Sequence, residues 1–262
     1  MKIRCASLAL TLVLALGDLS ASAAEWGTIK GRFVYDGPPP TPEKIEVTKD
    51  VEVCSLHPLI DESLLVSEEG GLANVAVFIR VPRGEKLEVH PDYAEAAEKP
   101  LVLDNMHCRF EPHVALLRTG QPLLLKNSDP VGHNTNVQFI SGQSFNMLIP
   151  ANGSVEQQVA RAEAFPGKVA CNIHPWMTGY LFVRDDPYLA ISDKDGKFEL
   201  KNVPAGEHEF QLWQEKAGYL GQVTIGGDPT DPAARGRITL EVKAEELDLG
   251  EIKVSPDQFK DR

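Results

Sequence analysis

Long apolar runs are missing from this chain of 262 residues. The longest begins at Leu8 and ends at Leu16, well short of the roughly 20 residues needed to cross a bilayer, so no segment reads as a membrane anchor. Positive charge is also short: 26 Lys and Arg face 38 Asp and Glu, for a formal net charge of -12. Such a balance disfavours nucleic acid and favours cationic partners. No glycine-rich phosphate cradle occurs, and no serine, histidine and acid stand in an order that supports nucleophilic catalysis. The chain is therefore expected not to be an enzyme. Low-complexity stretches are scarce, and sulfur is sparse, with four cysteines and four methionines.

What is present begins with an address. Lys2 and Arg4 precede the apolar run, and Ala21-Ser22-Ala23-Ala24 follows it, which is the pattern of a secretory signal peptide over residues 1–24. Cleavage near Ala23 or Ala24 leaves a product starting close to Glu25-Trp26, soluble and periplasmic or secreted. Loss of Lys2, Arg4 and Asp18 takes the charge from -12 to -13. Cys5 leaves with the leader, since it stands before the apolar run and not at its end, where a lipidated cysteine would lie.

The chemistry concentrates in Cys171-Asn172-Ile173-His174-Pro175-Trp176-Met177, where a thiolate, an imidazole and a thioether fall within one short loop. A soft sulfur with two imidazoles and a weak axial thioether suits an ion that cycles between Cu(I) and Cu(II). The best-placed second imidazole is His133, in Asp129-Pro130-Val131-Gly132-His133-Asn134. Met147 is a rival thioether, but Phe145-Asn146-Met147-Leu148-Ile149 reads as a strand that places it in the core.

From about Phe110 to Arg184 the sequence resembles a cupredoxin. A strand at Val114-Ala115-Leu116-Leu117, a turn at Thr119-Gly120, a strand at Leu123-Leu124-Leu125 and then Asn127 and His133 follow the family's order. The C-x-x-H-x-x-M loop followed by Gly179-Tyr180-Leu181-Phe182-Val183 is most similar to amicyanin. The resemblance implies one copper ion held by His133, Cys171, His174 and Met177, with Asn134 bracing the two ligand segments. Gly132 departs from amicyanin and is similar to azurin, whose glycine carbonyl approaches the metal opposite methionine, so four- and five-coordination both stay open. The family also implies that His174 reaches the surface as the electron's port, with Pro175 and Trp176 as an apolar docking patch or Trp176 as a core plug.

With Cys171 assigned to copper, Cys54 and Cys108 remain, and in an oxidising compartment a disulfide is the economical reading. It would close a loop of about 54 residues and stabilise the fold by about 4 kcal/mol in the chain-entropy description. A Cys2His2 metal site using His57 and either His107 or His113 is the alternative.

Proline, glycine and short β-rich runs fill nearly the whole chain, and Pro91 to Glu98 alone reads as a helix, so the class is all-β. A second sandwich is visible in two fragments. Gly27 to Gly37 and Ala73 to Ile79 read as strands, Ile191 to Leu200 reads as a hairpin with an Asp-Gly turn, and Arg237-Ile238-Thr239-Leu240 and Leu249 to Val254 as closing strands. Together with Asn202-Val203-Pro204-Ala205-Gly206 these resemble a carboxypeptidase regulatory-like domain, a transthyretin-like sandwich. The expected organisation is residues 25–100 and 186–262 for that sandwich and 101–185 for an inserted Greek-key cupredoxin. Asp193 and Asp195 lack the remaining ligands of a calcium loop and read as a turn.

The function this implies is single-electron transfer between redox partners such as a c-type cytochrome and a periplasmic dehydrogenase. Copper capture and delivery is one alternative, which scarce methionine disfavours, and an adhesion or assembly module with an accessory cupredoxin is another.

Overall fold

The computed structural model describes residues 25–82 and 84–260. Residues 1–24, expected to be a signal peptide, lie outside them, and Cys5 with them. The fold is all-β: four sheets stack in two sandwiches, each closed around its own apolar core.

The strands that precede and follow the middle of the chain build the outer sandwich. Lys197–Pro204, Trp26–Tyr35, Glu246–Val254, Val223–Ile225 and Asp228–Pro229 form one sheet in that order. Its partner sheet runs Leu189–Ile191, Ala76–Ile79, Gly206–Gln214, Gly218–Tyr219, with Arg237–Val242 also on Gly206–Gln214. Alternation along each strand sends one face inward. In Lys197–Pro204 it buries Phe198, Leu200 and Val203 and exposes Lys197, Glu199 and Lys201. Phe33, Leu72, Phe210, Leu212 and Ile252 meet these residues in the core.

The inner sandwich is built from Leu101 to Arg184. One sheet is Val114–Arg118, Thr178–Arg184, Gly167–Ala170, His133–Gln138 and Phe145–Ile149, and the other Arg109–Glu111, Leu101–Met106, Leu123–Asn127 and Ser154–Gln157. Between them Leu103, Phe110, Leu117, Leu125, Val137 and Leu181 are fully buried.

Two details depart from the sequence reading. Residues 191 to 200 are not a hairpin: Leu189–Ile191 pairs with Ala76–Ile79 in one sheet, whereas Lys197–Pro204 pairs with Trp26–Tyr35 in the other. The Asp-Gly turn therefore carries the chain from sheet to sheet. Ser192 fixes that switch, because its hydroxyl donates to the Leu72 carbonyl and accepts from the Val75 amide. Gly196 sits in the turn at φ 81°, where a Cβ would lie 2.2 Å from the Phe33 carbonyl oxygen. Gly196→Ala should accordingly destabilise the protein by at least about 2 kcal/mol, read as a lower denaturant midpoint. The second departure is an added helical turn, Val51–Cys54, beside the short helix Tyr93–Glu98.

The two sandwiches share a small apolar seam of Ala76, Phe78, Val114, Phe182, Leu189 and Trp213. Beside it an ionic clamp crosses the joint. His113 of the inner sandwich is buried, with Nε2 2.5 Å from Glu215 and Nδ1 3.7 Å from Glu62, which in turn lies 3.6 Å from Arg109. Burial opposes charge on His113, but Glu215, then Glu62 and Glu111, outweigh it and raise the imidazole above its usual value. A raised folded-state pKa gives stabilisation that is complete below about 6.5 and fades as pH climbs through the folded value. Burial also raises Glu62, which works in the same direction over a lower range. As pH rises above about 6.5 the protein should lose more stability than its His113→Gln variant, as denaturant midpoints would record.

Candidate metal centre

The loop Cys171 to Met177 joins Gly167–Ala170 to Thr178–Arg184, two strands paired antiparallel up to Ala170 and Thr178. Two backbone hydrogen bonds close it, from the Cys171 amide to the Met177 carbonyl at 3.2 Å and from the Met177 amide to the His174 carbonyl at 3.0 Å. On the other flank of Gly167–Ala170 lies His133–Gln138, where Ala170 stands opposite Asn136. Continuing that register beyond Ala170 brings the loop alongside His133, the first residue of its strand.

Three donors converge as a result. Cys171 Sγ lies 3.9 Å from His133 Nδ1 and 3.7 Å from His174 Nδ1. Both histidines are fully buried and Cys171 is 2% exposed. Met177, also buried, packs in the same apolar cluster as Cys171.

The far side of each imidazole is held by a carboxylate. His133 Nε2 is 2.9 Å from Asp129 Oδ2, and His174 Nε2 is 2.8 Å from Asp50 Oδ2. An ionised carboxylate only accepts, so each Nε2 carries a hydrogen, and each Nδ1, the nitrogen that faces the sulfur, is the one that binds an ion once free of its own proton. Asp129 is fixed in turn by the backbone amides of His107 and Cys108 at 2.7 and 2.8 Å. Burial alone would raise the Cys171 thiol; the two imidazoles and Asn134 reverse this and bring it down to about 6. Burial lowers His133, but Asp129 and then Cys171 raise it to about 9.

Asn134 ties the two ligand segments together. Its side-chain oxygen accepts from the amides of Asn172 at 2.8 Å and Ile173 at 3.3 Å and lies 3.5 Å from Cys171 Sγ, while its amide nitrogen donates to Asn146. At Gly132 an added Cβ would meet nothing within 4 Å, so packing does not demand glycine there. Met147 is half-buried in Phe145–Ile149, opposite Thr135.

His174 contradicts one expectation: it is not at the surface. Residues 43 to 61 leave the outer sandwich as a loop whose neck is closed by Lys44 pairing with Ile60 and by the Asp61 amide on the Glu43 carbonyl. Its tip, Asp50 and the turn Val51–Cys54, lies over the imidazole. Cys54 is bridged to Cys108, with Cα atoms 5.5 Å apart. Trp176 plugs the space under the loop, half-buried against Cys54, Cys108 and Val53, and donates its indole N–H to the Cys108 carbonyl at 3.1 Å.

With both sulfurs in the bridge, the Cys2His2 alternative has no thiolates. His57 and His107 stack with centroids 4.3 Å apart, and His113 belongs to the clamp with Glu62 and Glu215. Cys108, Asp129 and His133 also cluster, yet that sulfur is bonded to Cys54 and the Asp129 oxygens are occupied. Sequence reasoning missed both carboxylates. Asp129 lies four residues before His133 in the same short segment, a local signal, whereas Asp50 has none.

No protein-family model matches the chain, and no curated protein does. Among solved structures, the oxidised state of an amicyanin variant is 15% identical over 34% of this chain and 83% of its own, with a TM-score of 0.29. A purple cupredoxin from Nitrosopumilus maritimus is 20% identical over 33% of this chain and 99% of its own, at 0.27. A copper-containing nitrite reductase from Thermus scotoductus is 17% identical over 40% of this chain and 25% of its own, at 0.30. The expectation of a non-enzyme is withdrawn: a copper enzyme stands among the similar chains, and these likenesses decide neither for nor against an enzyme. These likenesses lend no support to a carboxypeptidase regulatory-like outer sandwich. Among the described residues no helix is long and apolar enough to cross a membrane.

Proposed function

We propose that Cys171, His133 and His174, with Met177 packed in the same cluster, would hold one copper ion in the inner sandwich, and that the ion would serve single-electron transfer in an exported protein. The observation that carries the reading is the buried convergence of one sulfur and two imidazole Nδ1 atoms, each imidazole locked through Nε2. A soft thiolate with two imidazoles is the donor set of blue copper, which cycles between Cu(I) and Cu(II). The chain's part is to hold those donors still. Asn134 fixes the loop to the His133 strand, the carboxylates fix the tautomers, and the surrounding core keeps water away. Complete burial of both histidines speaks for retention of an ion over delivery, which requires the ion to leave. A c-type cytochrome and a periplasmic dehydrogenase are the classes of partner we propose, in keeping with the acidic surface.

Adding Cu(II) to the metal-free protein tests this: an intense visible band at one equivalent is expected, and its absence would remove the copper assignment. Met177→Leu should keep the band and raise the reduction potential, because an apolar, non-ligating group in place of a weak thioether ligand would favour Cu(I). Voltammetry showing an unchanged potential, or complete loss of copper, would mean that Met177 is not a weak ligand of the ion.

A further inference from the structure

Asp50 reaches the metal centre from the other sandwich. It sits at the tip of the loop from Glu43 to Asp61, at φ 47°, where the chain bends sharply into the turn Val51–Cys54. Two independent ties hold that tip. The neck is closed by the Lys44 and Ile60 pairing, and the Cys54–Cys108 bridge pins the tip to the inner sandwich. Ile45, Val47, Val53 and Leu59 fill the loop's interior against Trp176 and the disulfide. The loop is thus a packed body, not a loose strand.

Cys108 lies at the crossing of both carboxylate locks. Its amide donates to Asp129, which holds His133, and its sulfur holds Cys54, four residues from Asp50, which holds His174. The inner sandwich by itself orients His133 but leaves His174 Nε2 without its partner. Resting on the copper reading above, we infer that Asp50 is a positioning residue for the metal, supplied by the outer sandwich on a disulfide-pinned loop that also closes the way to the ion. A molecule approaching this end of the protein meets the loop and not the imidazole.

Two arms separate this inference from the reading beneath it. In the metal-free, 15N-labelled protein, long-range imidazole correlations should show His174 as the Nε2–H tautomer, and Asp50→Ala should give a tautomer mixture while His133 is unchanged. In the copper-loaded protein, Asp50→Ala should raise the rate of copper loss to EDTA by about 10-fold or more, the usual size of such outer-partner effects, and raise the reduction potential by removing an anion near the ion. Asp50→Asn, which retains a side-chain oxygen acceptor, should restore most of the chelation resistance. Reducing the disulfide in the folded wild type should also speed copper loss. An unchanged His174 tautomer in Asp50→Ala, or a chelation rate within two-fold of wild type, would overturn the inference even if copper binds as proposed. Failure of the wild type to bind copper would instead overturn the copper reading, and the tautomer arm would still decide whether Asp50 positions His174.

Discussion

Cys171→Ser should abolish the visible band and leave a folded protein. Serine matches the shape of cysteine closely enough to sit beside Asn134, but its hydroxyl does not ionise in this range and is a hard donor. The effect is large because Cys171 is the free cysteine at the site, with two imidazole nitrogens turned toward it. Far-ultraviolet circular dichroism should overlay the wild type while the copper-titrated absorption is flat. A variant that kept the band would show that the sulfur is not a ligand, and the assignment would fall with it.

Replacing Cys54 and Cys108 together by serine should cost roughly 4 kcal/mol for a sequence separation of 54, in the chain-entropy description. For a chain of this size that corresponds to a loss of roughly 10 °C in thermal midpoint, at about 2–4 °C per kcal/mol. Two buried positions would also become polar, since both cysteines are 0% exposed. The check is a thermal melt of the double variant beside wild type under non-reducing conditions. A shift of under about 3 °C would mean that packing around Trp176, and not the bridge, holds the loop down.

Much of the inner sandwich was legible because its signals are local. Strand alternation, the turn at Thr119-Gly120 and the spacing of Cys171, His174 and Met177 each lie within a few residues, and period and turn chemistry act at that range. The pairing of Cys54 with Cys108 was legible for another reason: once Cys171 had a role, the remaining cysteines had few partners. The reading of Ile191 to Leu200 failed because an Asp-Gly turn fixes only the local reversal. Whether its flanking strands pair with each other or with two different sheets depends on Ser192 meeting Leu72 and Val75, more than a hundred residues away.

The candidate metal site divides along the same line. Sequence alone determined the donor types and their order, because a thiolate, an imidazole and a thioether on one tight loop leave a chemical signature wherever the loop sits. It could not determine what surrounds them. Asp50 lies 124 residues from His174, so no spacing rule connects the two, and only the return of a loop from the outer sandwich, pinned at Cys108, brings the carboxylate to Nε2. That packing turned His174 from an expected surface port into a buried, anchored imidazole, since exposure belongs to the assembled molecule and not to any residue's neighbours in sequence.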